Sequence, residues 1–436
     1  RAALLETIGR VDHRLGRTAA ARPLLERSVE LRRRSGTPAE LAGALRFRGE
    51  AAQVGGDLDA AAKDYREALD LLRGHDGEVG LEAELLSLIG RLELDRGDFR
   101  TAERWLTDGV DAARRARPRD PLQLASGLIA LAYAQGLVGD APGNERRLEE
   151  ARALLEEAAG ADPLQEGLLL NDLAMVHQHA GRPAKALELL GDSLARLRSA
   201  LEGDHAEIAN TLNNQGLVES ELGHQDAAAR SLEASLGMWR RLVGEDHNRT
   251  ALALTNLGGV LLRAERWDEA EPLLRQGLEL DRSLLAPDHP NLAVDHRNLG
   301  DALRGLGRLA EAEEQLRTAL ELELSHQGPE SPAIARSKTS LGRLRQAQGR
   351  LEEAVELANE AVGILRRNHP DGHPRLASTL TWRSRLALEQ NRPEDARADL
   401  AAALAMQESL LPADHPDLLE TRTLLGEVLA RLPSER

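Results

Sequence analysis

The chain has no cysteine and, in 436 residues, only four Trp, two Tyr and two Phe. Without a thiol, the chain has no cysteine chemistry and needs no oxidising compartment. So few aromatics cannot anchor one large globular core. Lys63, Lys185 and Lys338 are the only lysines beside abundant arginine. With the wealth of Ala, Gly and Leu, that bias points to a GC-rich bacterial genome. No window holds the roughly 20 uninterrupted apolar residues of a membrane span, and no signal-peptide pattern is visible. A formal net charge of −16 repels a phosphate backbone, and there is no basic amphipathic helix to lie on a membrane. The chain also lacks a Gly-rich phosphate loop, an HExxH motif and a Gly-x-Ser-x-Gly elbow. The expectation is therefore a cytoplasmic protein that is no enzyme. It should have no catalytic or metal-binding residues and no cofactor, and neither nucleic acid nor membrane as a partner.

What the chain does have is repetition. The phrase Thr255-Asn-Leu-Gly-Gly259 is followed by Arg266-Trp-Asp-Glu-Ala-Glu-Pro-Leu-Leu274 and Pro287-Asp-His-Pro290. Its glycine recurs as Gly216, Gly258, Gly300 and Gly342, a step of 42 residues. Ala228, Ala270, Ala312 and Ala354 keep the same step. A fixed period of this size marks a repeat array, in which each unit buries its apolar face against its neighbours.

One unit reads as two helices. Val294, Leu299, Ala302, Leu303 and Leu306 recur at helical spacing. Gly307 then supplies the positive φ that ends a helix. Leu316, Ala319 and Leu320 resume the period. Small residues at Gly300, Ala312 and Ala319 let the two helices approach closely. Pro290, Pro332, Pro374 and Pro416 stand where a helix begins, and Asp288 or Asp414 just ahead could satisfy the open N–H groups there.

A small eighth residue, a turn glycine at the fifteenth position and an alanine at the twentieth resemble the tetratricopeptide repeat (TPR). The 42-residue length is similar to the repeats of kinesin light chains and their bacterial relatives. The resemblance implies an all-α, right-handed α-solenoid of about ten helix-turn-helix repeats, closed by a capping helix over residues 417–431. The predicted turn residues are Gly16, Gly56, Gly97, Gly139, Gly181, Gly223, Glu265, Gly307, Gly349 and Asn391. The fourth repeat breaks the pattern: Asp140-Ala-Pro-Gly-Asn144 reads as a loop in place of the turn and its alanine. The expected organisation is a divergent segment over residues 1–160 and a regular array over 161–436, with a seam near Asp140 to Asp162. The chain opens at Arg1, without Met and in mid-helix pattern, as a piece of a longer protein would.

The histidines are not spaced as a set of metal ligands. His177 and His179 point apart on a helix. His369 and His373 are separated by a proline loop. His205, His247, His289 and His415 recur at one repeat phase, which is a structural signature. His296-Arg297-Asn298 looks like part of a kinase catalytic loop, but its phase places it inside a first helix.

In the family that these repeats resemble, first helices line a concave groove, and repeat positions 2, 5, 6, 9, 12 and 13 point into it. That mapping places Asn213, Asn214, Asn256 and Asn298 where an amide can meet a peptide backbone. It places Arg297, Arg304, Arg336, Arg343 and Arg385 in the same trough, where guanidinium groups suit carboxylates. Trp382 there is either an aromatic platform or part of the end packing. The expected function is a protein-interaction scaffold whose guest is a protein or peptide segment, acidic in character. The alternative is the regulatory arm of a bacterial Ser/Thr kinase, CHAT protease or nucleotide-switching regulator. The oligomeric state is left open.

Overall fold

The computed structural model describes residues 1–436 apart from 15–17, 55–56, 73–77, 139–140, 161, 371 and 433–436. The side chains of 13–14, 18–19, 54, 138 and 141–145 are likewise outside the description. The expected turns at Gly16, Gly56 and Gly139 therefore lie outside the described residues, as do Asp140 and the side chain of Asn144.

The chain divides into two compact units, Arg1–Thr211 and Leu212–Arg436. Unit 1 contains α1 (Ala2–Arg14), α2 (Thr18–Ser35), α3 (Pro38–Val54), α4 (Leu58–Leu72), α5 (Val79–Asp95), α6 (Phe99–Arg115), α7 (Pro121–Val138), α8 (Ala141–Glu157), α9 (Pro163–His179) and α10 (Pro183–Ala200). Unit 2 begins within α11 (Ala206–Glu221) and continues through α12 (Gln225–Val243), α13 (Asn248–Arg263), α14 (Trp267–Leu284), α15 (Pro290–Gly305) and α16 (Leu309–His326). It ends with α17 (Pro332–Ala347), α18 (Leu351–Asn368), α19 (Pro374–Glu389), α20 (Pro393–Leu410) and α21 (Pro416–Arg431). Consecutive helices pair into hairpins and each hairpin packs on the next, so each unit is an α-solenoid. Among the described residues there is no strand.

The hairpin follows from a few residues. At the turns, Gly97, Gly181, Gly223, Gly307 and Gly349 all take positive φ. Glu265 and Asn391, which replace glycine at the same phase, are forced to φ 56° as well. The eighth-position glycine is where the second helix crosses. A Cβ on Gly300 would sit 2.6 Å from Leu316 Cγ, and one on Gly258 would sit 2.5 Å from Leu274. Gly90 stands in the same relation to Leu106. Ala228, Ala270, Ala312 and Ala354 are fully buried at the crossing. The extra residues of the long repeat lengthen the second helix: α14, α16, α18 and α20 have 18 residues against 16 in α13, α15, α17 and α19.

Helix starts correct one expectation. Pro290, Pro332, Pro374 and Pro416 do open their helices, but Asp288 and Asp414 are not the caps. The imidazole Nδ1 atoms of His247, His289, His373 and His415 accept the backbone N–H two residues on, at 3.1, 3.2, 3.0 and 3.2 Å. His205 stands in the same relation to Glu207 N at 3.3 Å. The histidine sits at the N-cap itself, where a ring nitrogen meets the orphan donors, and the aspartate one residue earlier lies outside the helix. This is the repeat-bound role of those histidines. A second correction concerns Ala141 to Asn144, read above as a loop: α8 already begins at Ala141. Pro142 is compatible with this because a proline in the first turn removes only an N–H that has no partner there. Around this repeat the stacking does change, for α9 leans more on α7 than on α8.

Candidate peptide-binding groove

In unit 2 the first helices touch one another from repeat to repeat, α13 with α15 and α15 with α17, whereas among the described residues the second helices make no contact of that extent. In a curved stack the helices that crowd together are on the inner side. The inner face therefore belongs to α11, α13, α15, α17 and α19.

Residues 39 or 43 apart meet across this face. Asn256 Nδ2 donates to Asn213 Oδ1 at 2.8 Å, and Ser340 Oγ donates to Asp301 Oδ2 at 2.7 Å. Arg263 Nε donates to Ser220 Oγ at 2.8 Å. The amides of Asn213 and Asn256 are thus joined to each other. Asn214 is half-buried beside them. Asn298 is half-buried, and its amide has no hydrogen-bond partner among the described residues.

The arginines fall into two groups. Arg297 is buried and donates through Nη1 to Glu323 Oε1 at 2.8 Å, so it is committed to an ion pair inside its own hairpin. Arg336, half-buried, has an Nε atom sealed from water with no acceptor. Burial, and then the neighbouring Arg297, hold its pKa below the usual guanidinium value, with Glu323 opposing. In the second group Arg304 lies 3.7 Å from Asp301, with its guanidinium 5.9 Å from the Trp267 ring centroid. Arg343 lies 5.8 Å from the Trp382 ring centroid, its Nε also without an acceptor. Burial and then the nearby Arg304 and Arg385 lower its pKa, while Asp301 and Asp417 raise it. Arg385 is exposed and paired with Glu420.

Trp382 resolves to packing. It is 5% exposed, its Nε1 donates to Gln346 Oε1 at 2.8 Å, and its ring rests on Gly342.

Two inner-face arginines were missed. Arg375 projects from the start of α19 and stays open to water although protein surrounds it. That enclosure, with Arg336, Arg297 and Arg263, lowers its pKa to about 10. Arg263 is similarly open, its pKa lowered by enclosure and supported by Asp417 and Glu221. Arg263 occupies repeat position 13 and was legible. Arg375 precedes the first counted position of its repeat, and only its spacing from Arg336 could have revealed it.

Unit 2 also meets itself. His415 Nε2 lies 3.1 Å from the Glu221 carbonyl oxygen, and Pro416 packs on Gly223. Since His415 Nδ1 accepts from Asp417 N, Nε2 carries the proton and donates to Glu221. The capping helix α21 thereby returns to the first hairpin of its own unit.

No ligand cluster for a metal occurs among the described residues. The His369 and His373 rings do come together, their centroids 4.2 Å apart, despite the prolines between them. No helix among the described residues is long and apolar enough to cross a membrane.

Models of the tetratricopeptide repeat match residues 165–241, 230–283 and 249–325, residues 297–373 and residues 376–417. A MalT-like TPR region model matches residues 1–160. No curated protein sequence matches the chain. Among solved structures, the apo form of RapI is 13% identical, covering 80% of this chain and 98% of its own, with TM-score 0.55. A Rap protein complexed with Competence and Sporulation Factor is 14% identical, with coverage of 80% and 98% and TM-score 0.52. A signal transduction ATPase (STAND protein) with a TPR sensor from Pyrococcus horikoshii is 13% identical over 80% of this chain, with TM-score 0.56. The present chain spans 54% of that protein's length.

Proposed function

Because the chain belongs to the tetratricopeptide repeat family, we propose that it is an interaction scaffold that holds an acidic protein segment on the inner face of unit 2. The observation that supports this reading is the set of unmet donors there. Arg336 and Arg343 each keep an Nε without an acceptor among the described residues, and the half-buried Asn298 stands on the same helix as Arg304. Arg336 and Arg343 are only partly buried, so a guest that brings acceptors can meet the open part of each side chain. A chain of formal charge −16 that gathers arginine in one trough also selects for acidic partners by contrast with its own surface. The Rap protein solved with Competence and Sporulation Factor lends the reading a precedent in fold only.

The test uses a fluorescein-labelled peptide of alternating Glu and Gly. Binding should weaken as salt screens the charges, and the combined Arg304→Glu, Arg336→Glu and Arg343→Glu variant should lose at least about tenfold in affinity. Unaltered affinity in that variant would remove the arginines from the reading.

A second reading is favoured by the TPR sensor of the Pyrococcus horikoshii protein. In it, the array is the sensing arm of a larger signalling protein. Sequencing the same reading frame upstream of Arg1 decides it: a kinase, protease or nucleotide-binding domain there supports it, and a nearby start codon with nothing catalytic removes it.

A further inference from the structure

Residues 39 apart in neighbouring first helices are partners on the inner face. Ser340 bonds Asp301 and Arg343 lies near Trp382 at this offset, and Asn298 reaches the Cβ direction of Gly259 at 4.0 Å. The offset is three residues short of the repeat, about one helical turn, so it draws a diagonal across the helices. Arg297, Arg336 and Arg375 stand on one such diagonal. The next positions along it are Gly258 and Asp414, so the run of guanidinium groups is bounded at both ends.

The two arginine groups differ in how they are balanced. Arg304 has Asp301 in contact and Arg385 has Glu420, while Arg343 stands near Asp301 and Asp417 without bonding either, and Trp faces lie beside Arg304 and Arg343. Along the diagonal, Glu323 is bonded to Arg297, and Asp295 also stands near Arg297. Neither Arg336 nor Arg375 has a side-chain hydrogen-bond or ion-pair partner among the described residues, and Arg336 Nε is sealed from water. Two positive charges thus remain unmet at one place. Arg336 is the first of the neighbouring charges that lower the Arg375 pKa beyond the effect of burial, which agrees with that crowding. A single carboxylate offers one charge and two oxygens, which one guanidinium satisfies. A phosphoryl group brings close to two negative charges and three acceptor oxygens, enough to face both arginines.

We propose that Arg336 and Arg375, backed by the Arg297–Glu323 pair, form a binding site for a phosphoryl group. The site shares its arginines with the scaffold reading but does not depend on it, because a free phosphate ester would fit as well as a phosphorylated residue of a guest segment. The exposure of Arg375 gives the group a way in.

The experiment is calorimetric titration of the whole chain with inorganic phosphate, the tripeptide Gly-phosphoserine-Gly and Gly-Glu-Gly at matched ionic strength. The phosphoryl probes should bind at least about tenfold tighter than Gly-Glu-Gly, and the affinity of Gly-phosphoserine-Gly should rise as pH passes about 6, where its second phosphate proton leaves. Arg336→Gln and Arg375→Gln should each weaken phosphate binding by about tenfold or more, and Arg392→Gln, at the exposed residue just ahead of α20, should leave it unchanged. Circular dichroism melts verify that each variant is folded, and Arg336→Lys should recover only part of the affinity because it keeps the charge and loses the fork. Tighter binding of the tripeptide than of phosphate assigns the group to a guest segment; equal binding assigns it to a free phosphate ester. Equal binding of Gly-Glu-Gly, or indifference to both Gln variants, overturns the site. If the acidic peptide still binds in that case, the scaffold reading stands without it.

Discussion

In unit 1 the first helices α3, α7 and α9 open on oxygen caps, whereas α5 has no side-chain cap. Thr37 and Glu40 bond each other's backbone N–H groups across the start of α3, Asp120 accepts at the start of α7, and Asp162 accepts at the start of α9. The first helices of unit 2 open on imidazoles or, at α17, on Ser331. The two units agree inside the hairpin, however. Arg48 grips Asp64 through two bonds of 2.7 and 2.6 Å, and Arg383 grips Asp399 with the same two lengths at the same repeat phase. The comparison teaches that the crossing of two helices tolerates little variation, while the cap needs only an acceptor at the right place. Caps and inner faces are therefore free to diverge, and buried donors without an acceptor occur in both units, at Arg32 Nε and Arg46 Nε in unit 1 and at Arg336 Nε and Arg343 Nε in unit 2.

The largest test of this view breaks the shared pair. Asp64→Ala and Asp399→Ala each leave an arginine without its buried partner and should each cost about 3 kcal/mol. Hydrogen exchange should report the loss in α3 and α4 for the first, and in α19 and α20 for the second. A pair that could be removed from one unit at no cost would show that the common phase carries no common energy.

A smaller effect is expected at the turns. Glu265 holds a φ that costs a side-chain-bearing residue about 1–2 kcal/mol, so Glu265→Gly should raise the unfolding free energy of unit 2, read from denaturant titration, by about 1 kcal/mol. The converse change, Gly307→Glu, should lower it by a similar amount.

The smallest effect is read as a change of pH slope. The ring of His373 is held to a pKa of about 4 by burial and by the neighbouring His369 and Arg375, and His247 is lowered by burial and by Arg249. An unfolded histidine takes up its proton near 6.5. The contribution of these caps is thus complete above pH 6.5 and declines as pH falls toward about 4. Asp295 works in the opposite direction. Burial first, and Asp281 beside it, raise its carboxyl to about 7, so its contribution is complete below pH 3.8 and declines as pH rises through about 7. His373→Asn should therefore help unit 2 at pH 5 and Asp295→Asn should help it at pH 8, each compared with the unmodified chain. Thermal melts at the two pH values check both signs. In unit 1, Glu40 is held below 4.5 chiefly by the Thr37 N–H, so the α3 cap should persist at pH 5.

The hairpin was readable because its constraints are local and repeated. Gly300 against Leu316, the prolines at helix starts, and even the left-handed backbone at Glu265 and Asn391 follow from one period. The inner face was readable only as a list of positions. A position tells which way a side chain points, but not whether its neighbour has already satisfied it. Asn256 turned out bonded to Asn213, and Arg297 to Glu323, because their complements lie 43 and 26 residues away. Arg375 escaped because it stands outside the counted positions of a repeat. The histidine caps were recognised as structural by their period, while their chemistry was assigned to the aspartates beside them.

The contact between His415 and Glu221 sets a count. An open stack of hairpins tolerates the gain or loss of a unit, since each unit answers only to its neighbours. Here five hairpins bring α21 back onto the turn where the unit began, so duplicating or deleting one 42-residue block would leave the two ends facing the wrong partners. Unit 2 is in this respect more like a ring with a fixed membership than a stack of arbitrary length.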